Sequence, residues 1–168
     1  MLWSKLIDTV KVNQSHTVSL AMDVRLSSTE VQRAQQLIQQ SDRLETAEME
    51  EAIASLEKHD GDLETSFAEL WQDEVGSLGR FAPGDKSLWE VTLKVLRQEV
   101  CGDEGFRSKI LDYNKNPGSA SILTGAIVTL LELTTLPIGS GIATVVVLYI
   151  LKVGLNVFCE YTEPVEAE

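Results

Sequence analysis

The chain has 168 residues, with 14 Lys and Arg against 26 Asp and Glu, and hence a formal charge of −12. Hydrophobic residues make up 43% and charged residues 24%, which is typical of a globular protein and too apolar for a disordered one. A balance this acidic disfavours contact with the phosphates of nucleic acid and electrostatic docking on anionic lipid. We therefore expect no nucleic-acid partner.

Residues 1–26 predict a short helix followed by β structure. Apolar and polar or small residues alternate over 18–26, which is the period of a strand, and residues 13–15 offer the turn of a hairpin. A two-stranded hairpin is marginal by itself, so we expect it to pack on helices or to pair with another chain.

Residues 27–74 predict three short helices in an acidic bundle. Ser27 and Glu30 form a capping box before the first helix, which we expect to run to about Gln40. The second helix is predicted to end near His59, and Asp62 is placed to cap the third. Residues 42–74 hold twelve acidic and two basic residues, so most of the net charge lies on the outward faces of this bundle.

Residues 52–71 read AIASLEKHDGDLETSFAELW. This stretch, within 46–72, resembles the last two helices of a ubiquitin-associated (UBA)-like domain and the same arrangement at the front of elongation factor Ts. The resemblance implies a three-helix bundle in which Phe67, Leu70 and Trp71 contribute to a partner-binding surface; plain core packing is the other interpretation of these side chains. The chain lacks the Met-Gly-Phe loop that follows the first helix in UBA domains that bind ubiquitin.

The second half is predicted to hold an amphipathic helix pair and an apolar helical hairpin. The first helix of the pair runs to about Val100, and Asp103 caps the second. Together these patterns predict a mainly α protein divided into an N-terminal helix or β-hairpin segment (1–26), the bundle (27–74), a linker (75–86), a helical region (87–161) with the hairpin at 121–158, and an acidic tail (162–168).

The apolar hairpin has two interpretations. Each of its segments, 122–136 and 138–158, is close to the roughly 20 residues that span a bilayer, and the flanking charges favour cytoplasmic ends. In the alternative the hairpin is the core of a cytoplasmic protein, and residues 145–147 form either part of a helix or a buried strand. The residues assigned to the hairpin are Ile122, Leu123, Ile127, Leu130, Pro137, Val145, Val146, Leu148, Tyr149 and Leu151.

No spacing of chemical groups predicts catalysis. His16 and His59 lie far apart, and neither adjoins a nucleophile in sequence. The acidic residues lack the spacing of a calcium loop, so we expect no metal site and no cofactor. Two cysteines are too few for a disulfide scaffold, and Cys101, with no cation beside it in the sequence, is expected to be inert.

The sequence therefore predicts a non-enzymatic adaptor or regulatory protein. The acidic bundle would bind a protein partner, and the hairpin would associate the chain with a membrane. The alternatives are a soluble regulatory subunit with the hairpin as its core, or a membrane-perturbing effector of a bacterial conflict system. Homo-oligomerisation is left open.

Overall fold

The structure is a computed structural model that describes residues 24–41, 46–76 and 88–161. The described residues form eight helices and no strand, which confirms the mainly α class. In chain order they are α1 (Ser28–Gln39), α2 (Thr46–Lys58), α3 (Leu63–Glu74), α4 (Leu88–Val100), α5 (Glu104–Lys115), α6 (Ala120–Leu133), α7 (Ser140–Val153) and α8 (Leu155–Tyr161).

The predicted β-hairpin lies largely outside the described residues. The described end of the predicted strand makes one isolated antiparallel bridge, between Arg25 and Asp62. The Leu26 N–H donates to the Gly61 carbonyl oxygen at 2.9 Å. Residues 24–26 therefore lie against the turn between α2 and α3 as an extended segment.

Three helices begin at the predicted caps. The Ser27 side chain accepts from the Glu30 N–H while the Glu30 carboxylate accepts from the Ser27 N–H, so the capping box of α1 is formed. The Asp62 side chain accepts from the Thr65 N–H and caps α3. Asp103 caps α5 in the same way through the Phe106 N–H.

Helix α7 lies at the centre of the molecule. Every residue of 140–150 is buried, and the helix packs against α2, α3, α6 and α8. A helix that is apolar on all sides needs cover on all sides, and here the acidic bundle supplies part of that cover. The front and back halves, predicted as separate parts, thus share one hydrophobic core.

The predicted apolar hairpin consists of α6, a turn at 134–139, and α7. Residues 145–147 are helical, so the alternative of a buried strand is wrong. The second apolar segment is also interrupted, because Gly154 takes a φ of +92° and separates α7 from α8. Within the part of the chain that the structure describes, no helix combines the length and the apolar character needed to cross a membrane.

A disulfide joins Cys101, just after α4, to Cys159 in α8, with the two Cα atoms 5.9 Å apart. The expectation that Cys101 is an inert thiol is therefore wrong. Cys159 is 58 residues away in the sequence, and the residues around Cys101 do not predict this contact.

Candidate interaction surface

The three side chains predicted to bind a partner are buried. Phe67 is fully buried, Leu70 is 3% exposed and Trp71 is 6% exposed. The Phe67 ring lies 5.6 Å from the Trp71 ring and 5.0 Å from the Trp89 ring of α4. This placement is that of the alternative interpretation, core packing. A partner would meet Phe67 and Trp71 only after part of the bundle had moved.

Aromatic contacts continue through the core beyond Trp89. The Trp89 ring lies 5.1 Å from Tyr149 of α7, and Tyr149 lies 6.1 Å from Phe158 of α8. Together with Trp71 and Phe67, these rings form a continuous row, which we call the aromatic row. It links four helices from both halves of the chain.

The residues assigned to the hairpin are mostly core residues. Pro137 is exposed, and Ile122 and Leu151 are half-buried. The remaining seven are buried among the neighbouring helices: Leu123, Ile127, Leu130, Val145, Val146, Leu148 and Tyr149.

A polar cluster around Glu69 joins α2 to α3. One carboxylate oxygen accepts from the Ser55 hydroxyl at 2.8 Å and lies 2.6 Å from His59 Nε2, and the other accepts from Lys58 Nζ at 2.7 Å. Hydrogen bonds from Lys58, Ser55 and His59 lower the pKa of Glu69 to about 2. The glutamate is therefore ionised at neutral pH.

This cluster is not arranged as a catalytic triad, although it contains a serine, a histidine and a carboxylate. In a triad the histidine lies between the nucleophile and the acid. Here Ser55 and His59 both contact the same Glu69 oxygen. Within the described ranges, no three His, Cys, Asp or Glu side chains are grouped so that they could hold a metal ion.

A surface groove of about 400 Å³ lies between α2 and α3, next to the Glu69 cluster. We call it the acidic groove. Glu51 lines it from α2 and Asp73 from α3, and both are exposed. The exposed Ala54 adds apolar surface, to which the nearly buried Leu70 contributes little. The ammonium of Lys58 is already paired with Glu69. A cationic side chain with an aliphatic stem matches this combination of lining groups.

Two other carboxylates of the bundle hold the N-terminus of α7. Glu74 accepts from the Gly139 N–H at 2.9 Å, and Glu48 accepts from the Ser140 N–H at 3.0 Å and from its hydroxyl at 2.7 Å. Burial raises the pKa of Glu74, and the nearby charges of Glu48 and Glu51 raise it further. Glu48 and Glu74 therefore stabilise the fold by capping α7, in addition to making the bundle acidic.

Sequence reasoning missed the roles of Glu48 and Glu74 because these contacts span 92 and 65 residues. One local signal existed. The N-cap of α7 is Gly139, which has no side chain to accept from the first turn, so a helix starting there needs acceptors from elsewhere.

The site and the fold define a small mainly α protein with one core and an acidic, grooved face. Comparisons of the chain with protein-family models, with curated proteins and with solved structures find no match.

Proposed function

We propose that this chain is a non-enzymatic adaptor or regulatory protein that binds a basic segment of a partner protein in the acidic groove. The observation that carries the proposal is that Glu51 of α2 and Asp73 of α3 line opposite walls of one groove, with apolar surface between them. Two carboxylates on different helices can contact two cations, or one cation from both sides.

The electrostatics of the groove favour a cationic occupant. Lys58, the basic side chain that lines the groove, is engaged by Glu69, so the groove keeps a negative surplus. Glu51 also adds to the repulsion that raises the pKa of Glu74. A positive charge placed beside Glu51 would offset this repulsion.

The resemblance of residues 46–72 to UBA-like modules supports a protein-binding role. We propose a UBA-like arrangement for α1–α3, with one difference in how it is used. The buried Phe67, Leu70 and Trp71 hold the helices together, and the carboxylates on the outer walls make the contact.

Binding is tested with labelled peptides that differ only in the spacing of paired lysines, by fluorescence anisotropy. The groove variant Glu51→Gln/Asp73→Asn is compared with Glu50→Gln/Glu57→Gln, which removes two charges from α2 outside the groove. We expect the groove variant to weaken binding by about tenfold and the control by less than about twofold, since contact charges act at short range while general attraction is screened.

Three results would contradict the proposal. The first is equal loss in the two variants, which indicates a general charge effect. The second is failure of all paired-lysine peptides to bind the wild-type chain. The third is binding that does not weaken as salt is raised, because exposed ion pairs are screened by salt.

Membrane association through the hairpin, the other part of the sequence hypothesis, would require α7 to leave the core. Its buried residues already contact α2, α3, α6 and α8. The geometry therefore favours the alternative in which the hairpin is the core of a regulatory subunit.

A further inference from the structure

We propose that the Cys101–Cys159 disulfide is a reversible redox latch that holds α8 against the core, and that thiol reductants open it. The latch is independent of the acidic groove. It combines a short helix, a glycine pivot and two arginines that bind the cysteine backbones.

Besides the disulfide, helix α8 is held by two buried side chains and by hydrogen bonds from Arg97 to the Cys159 carbonyl oxygen and from Arg107 to the Asn156 side chain. It has seven residues, well short of the roughly 12–15 that an isolated helix needs to be even marginally stable in water. Leu155 and Phe158 anchor it in the core, at 7% and 0% exposed. The disulfide adds a covalent attachment to the end of α4.

Gly154 provides the pivot between α7 and α8. Its φ of +92° lies in the left-handed region, and no atom lies within 4 Å of where its Cβ would be. Glycine gives the backbone a wider choice of φ and ψ at this position than any other residue would. Opening at Gly154 would move α8 and leave α7 in the centre of the core.

Two guanidinium groups contact the cysteine residues themselves. Arg97 Nε donates to the Cys159 carbonyl oxygen at 2.7 Å, and Arg107 Nη2 donates to the Cys101 carbonyl oxygen at 3.2 Å. The Arg97 hydrogen bond brings the backbone of Cys159 next to the end of α4, which favours re-formation of the disulfide on oxidation. Both cysteine residues are half-buried at the edge of the core rather than enclosed in it.

The chemistry is thiol–disulfide exchange with a dithiol reductant. One thiolate of the reductant attacks a sulfur of the Cys101–Cys159 bond, that bond breaks, and a mixed disulfide forms. The second thiol of the reductant then displaces the remaining cysteine. The reductant leaves as a cyclic disulfide, and its two electrons and two protons remain on the two cysteine thiols.

Opening the latch would change the apolar surface of the protein. Phe158 of α8 is the last ring of the aromatic row and covers Tyr149 of α7. Release of α8 uncovers Tyr149 and alters the surroundings of Trp89, which is in contact with it. The reduced form would therefore present an apolar patch that the oxidised form hides.

The test compares the full chain before and after treatment with dithiothreitol, by amide hydrogen exchange, tryptophan fluorescence and far-ultraviolet circular dichroism. In the reduced form we expect exchange over 155–161 to rise about tenfold or more while α2 and α3 keep their protection, as in local unfolding. Tryptophan emission should change, because Trp89 lies against Tyr149, and oxidised glutathione should restore the starting state.

Two variants make the test specific. Cys101→Ser/Cys159→Ser should behave like the reduced chain in either buffer, and Val157→Ser, an exposed change in α8, should respond like the wild type. Equal protection of 155–161 in both redox states would overturn the proposal. So would loss of protection throughout the chain, or reduced thiols that fail to pair again.

Discussion

At the scale of single residues, Gly61 is a position that only glycine can occupy without strain. It lies in the turn between α2 and α3 with a φ of +81°, and an added Cβ would lie 2.0 Å from the Leu26 carbonyl oxygen. Both the backbone conformation and the close approach of the preceding segment depend on the missing side chain.

We predict that Gly61→Ala lowers the free energy of unfolding by about 2–4 kcal/mol, because left-handed strain and a backbone clash act together. Urea unfolding measures the change. Gly76→Ala separates the two effects, since Gly76 has a φ of +88° with nothing within 4 Å of the added Cβ. It should cost about 1 kcal/mol. Equal costs for the two variants would mean that the Leu26 contact contributes nothing.

The Glu69 cluster makes stability depend on pH in the acid range. In the folded chain the pKa of Glu69 is about 2, below the ordinary value of 4.5. The stabilisation is therefore complete above pH 4.5 and is lost as the pH falls toward 2. We predict that Glu69→Gln flattens the loss of unfolding free energy in this window, while Glu50→Gln, which removes the same charge from the exposed face of α2, leaves it unchanged. Urea unfolding across the window checks both, and an unaltered slope in Glu69→Gln would refute the assignment.

At the scale of elements, α7 depends on acceptors from other helices. Glu48 binds both the N–H and the hydroxyl of Ser140. We predict that Glu48→Ala destabilises the protein by about 1–2 kcal/mol, as expected for loss of an N-terminal helix cap. The matched change Glu50→Ala, on the exposed side of the same helix, should cost less than about 0.5 kcal/mol. Thermal or urea unfolding distinguishes them, and similar values would show that the cap is dispensable.

Glu74, which caps α7, makes the stability of the protein depend on pH in the opposite direction to Glu69. Because burial raises its pKa, the folded chain binds a proton more tightly than the unfolded chain does. The contribution of Glu74 to stability should therefore be largest below pH 4.5, fall as the pH rises through the folded pKa, and stay constant above it. We predict that Glu74→Gln, which still offers an oxygen to Gly139, removes this limb of the stability curve. The variant curve should stay level where the wild type declines.

The sequence predicts those elements that depend on local interactions. The caps at Ser27, Asp62 and Asp103 lie within a few residues of the groups that they bind, so their positions can be read from spacing. The environment of α7 cannot be predicted in this way, because a largely apolar helix suits a protein core as well as a bilayer. Its acceptors and the partner of Cys101 come from distant segments, as does the wall that Asp73 forms opposite Glu51.

At the scale of the whole molecule, the acidic helices and the apolar hairpin are interdependent. Helix α7 buries its residues against α2 and α3, while Glu48 and Glu74 hold its N-terminus. Removing the hairpin would thus expose the inner faces of the bundle. Conversely, the hairpin without the bundle would expose an apolar surface of the kind that seeks a membrane or another protein.

This interdependence leads to a prediction about membranes. Insertion of α7 would require the residues of 140–150, all buried, to exchange their protein contacts for lipid, and would leave the inner face of α2 uncovered. We therefore expect the expressed full chain to be released from membranes by alkaline carbonate. A chain cut before Ser119 should lose helicity in α2 and α3, because their cover is gone. Retention of the full chain that only detergent reverses would show instead that the hairpin leaves the core, and an undisturbed truncated bundle would show that it folds without the hairpin.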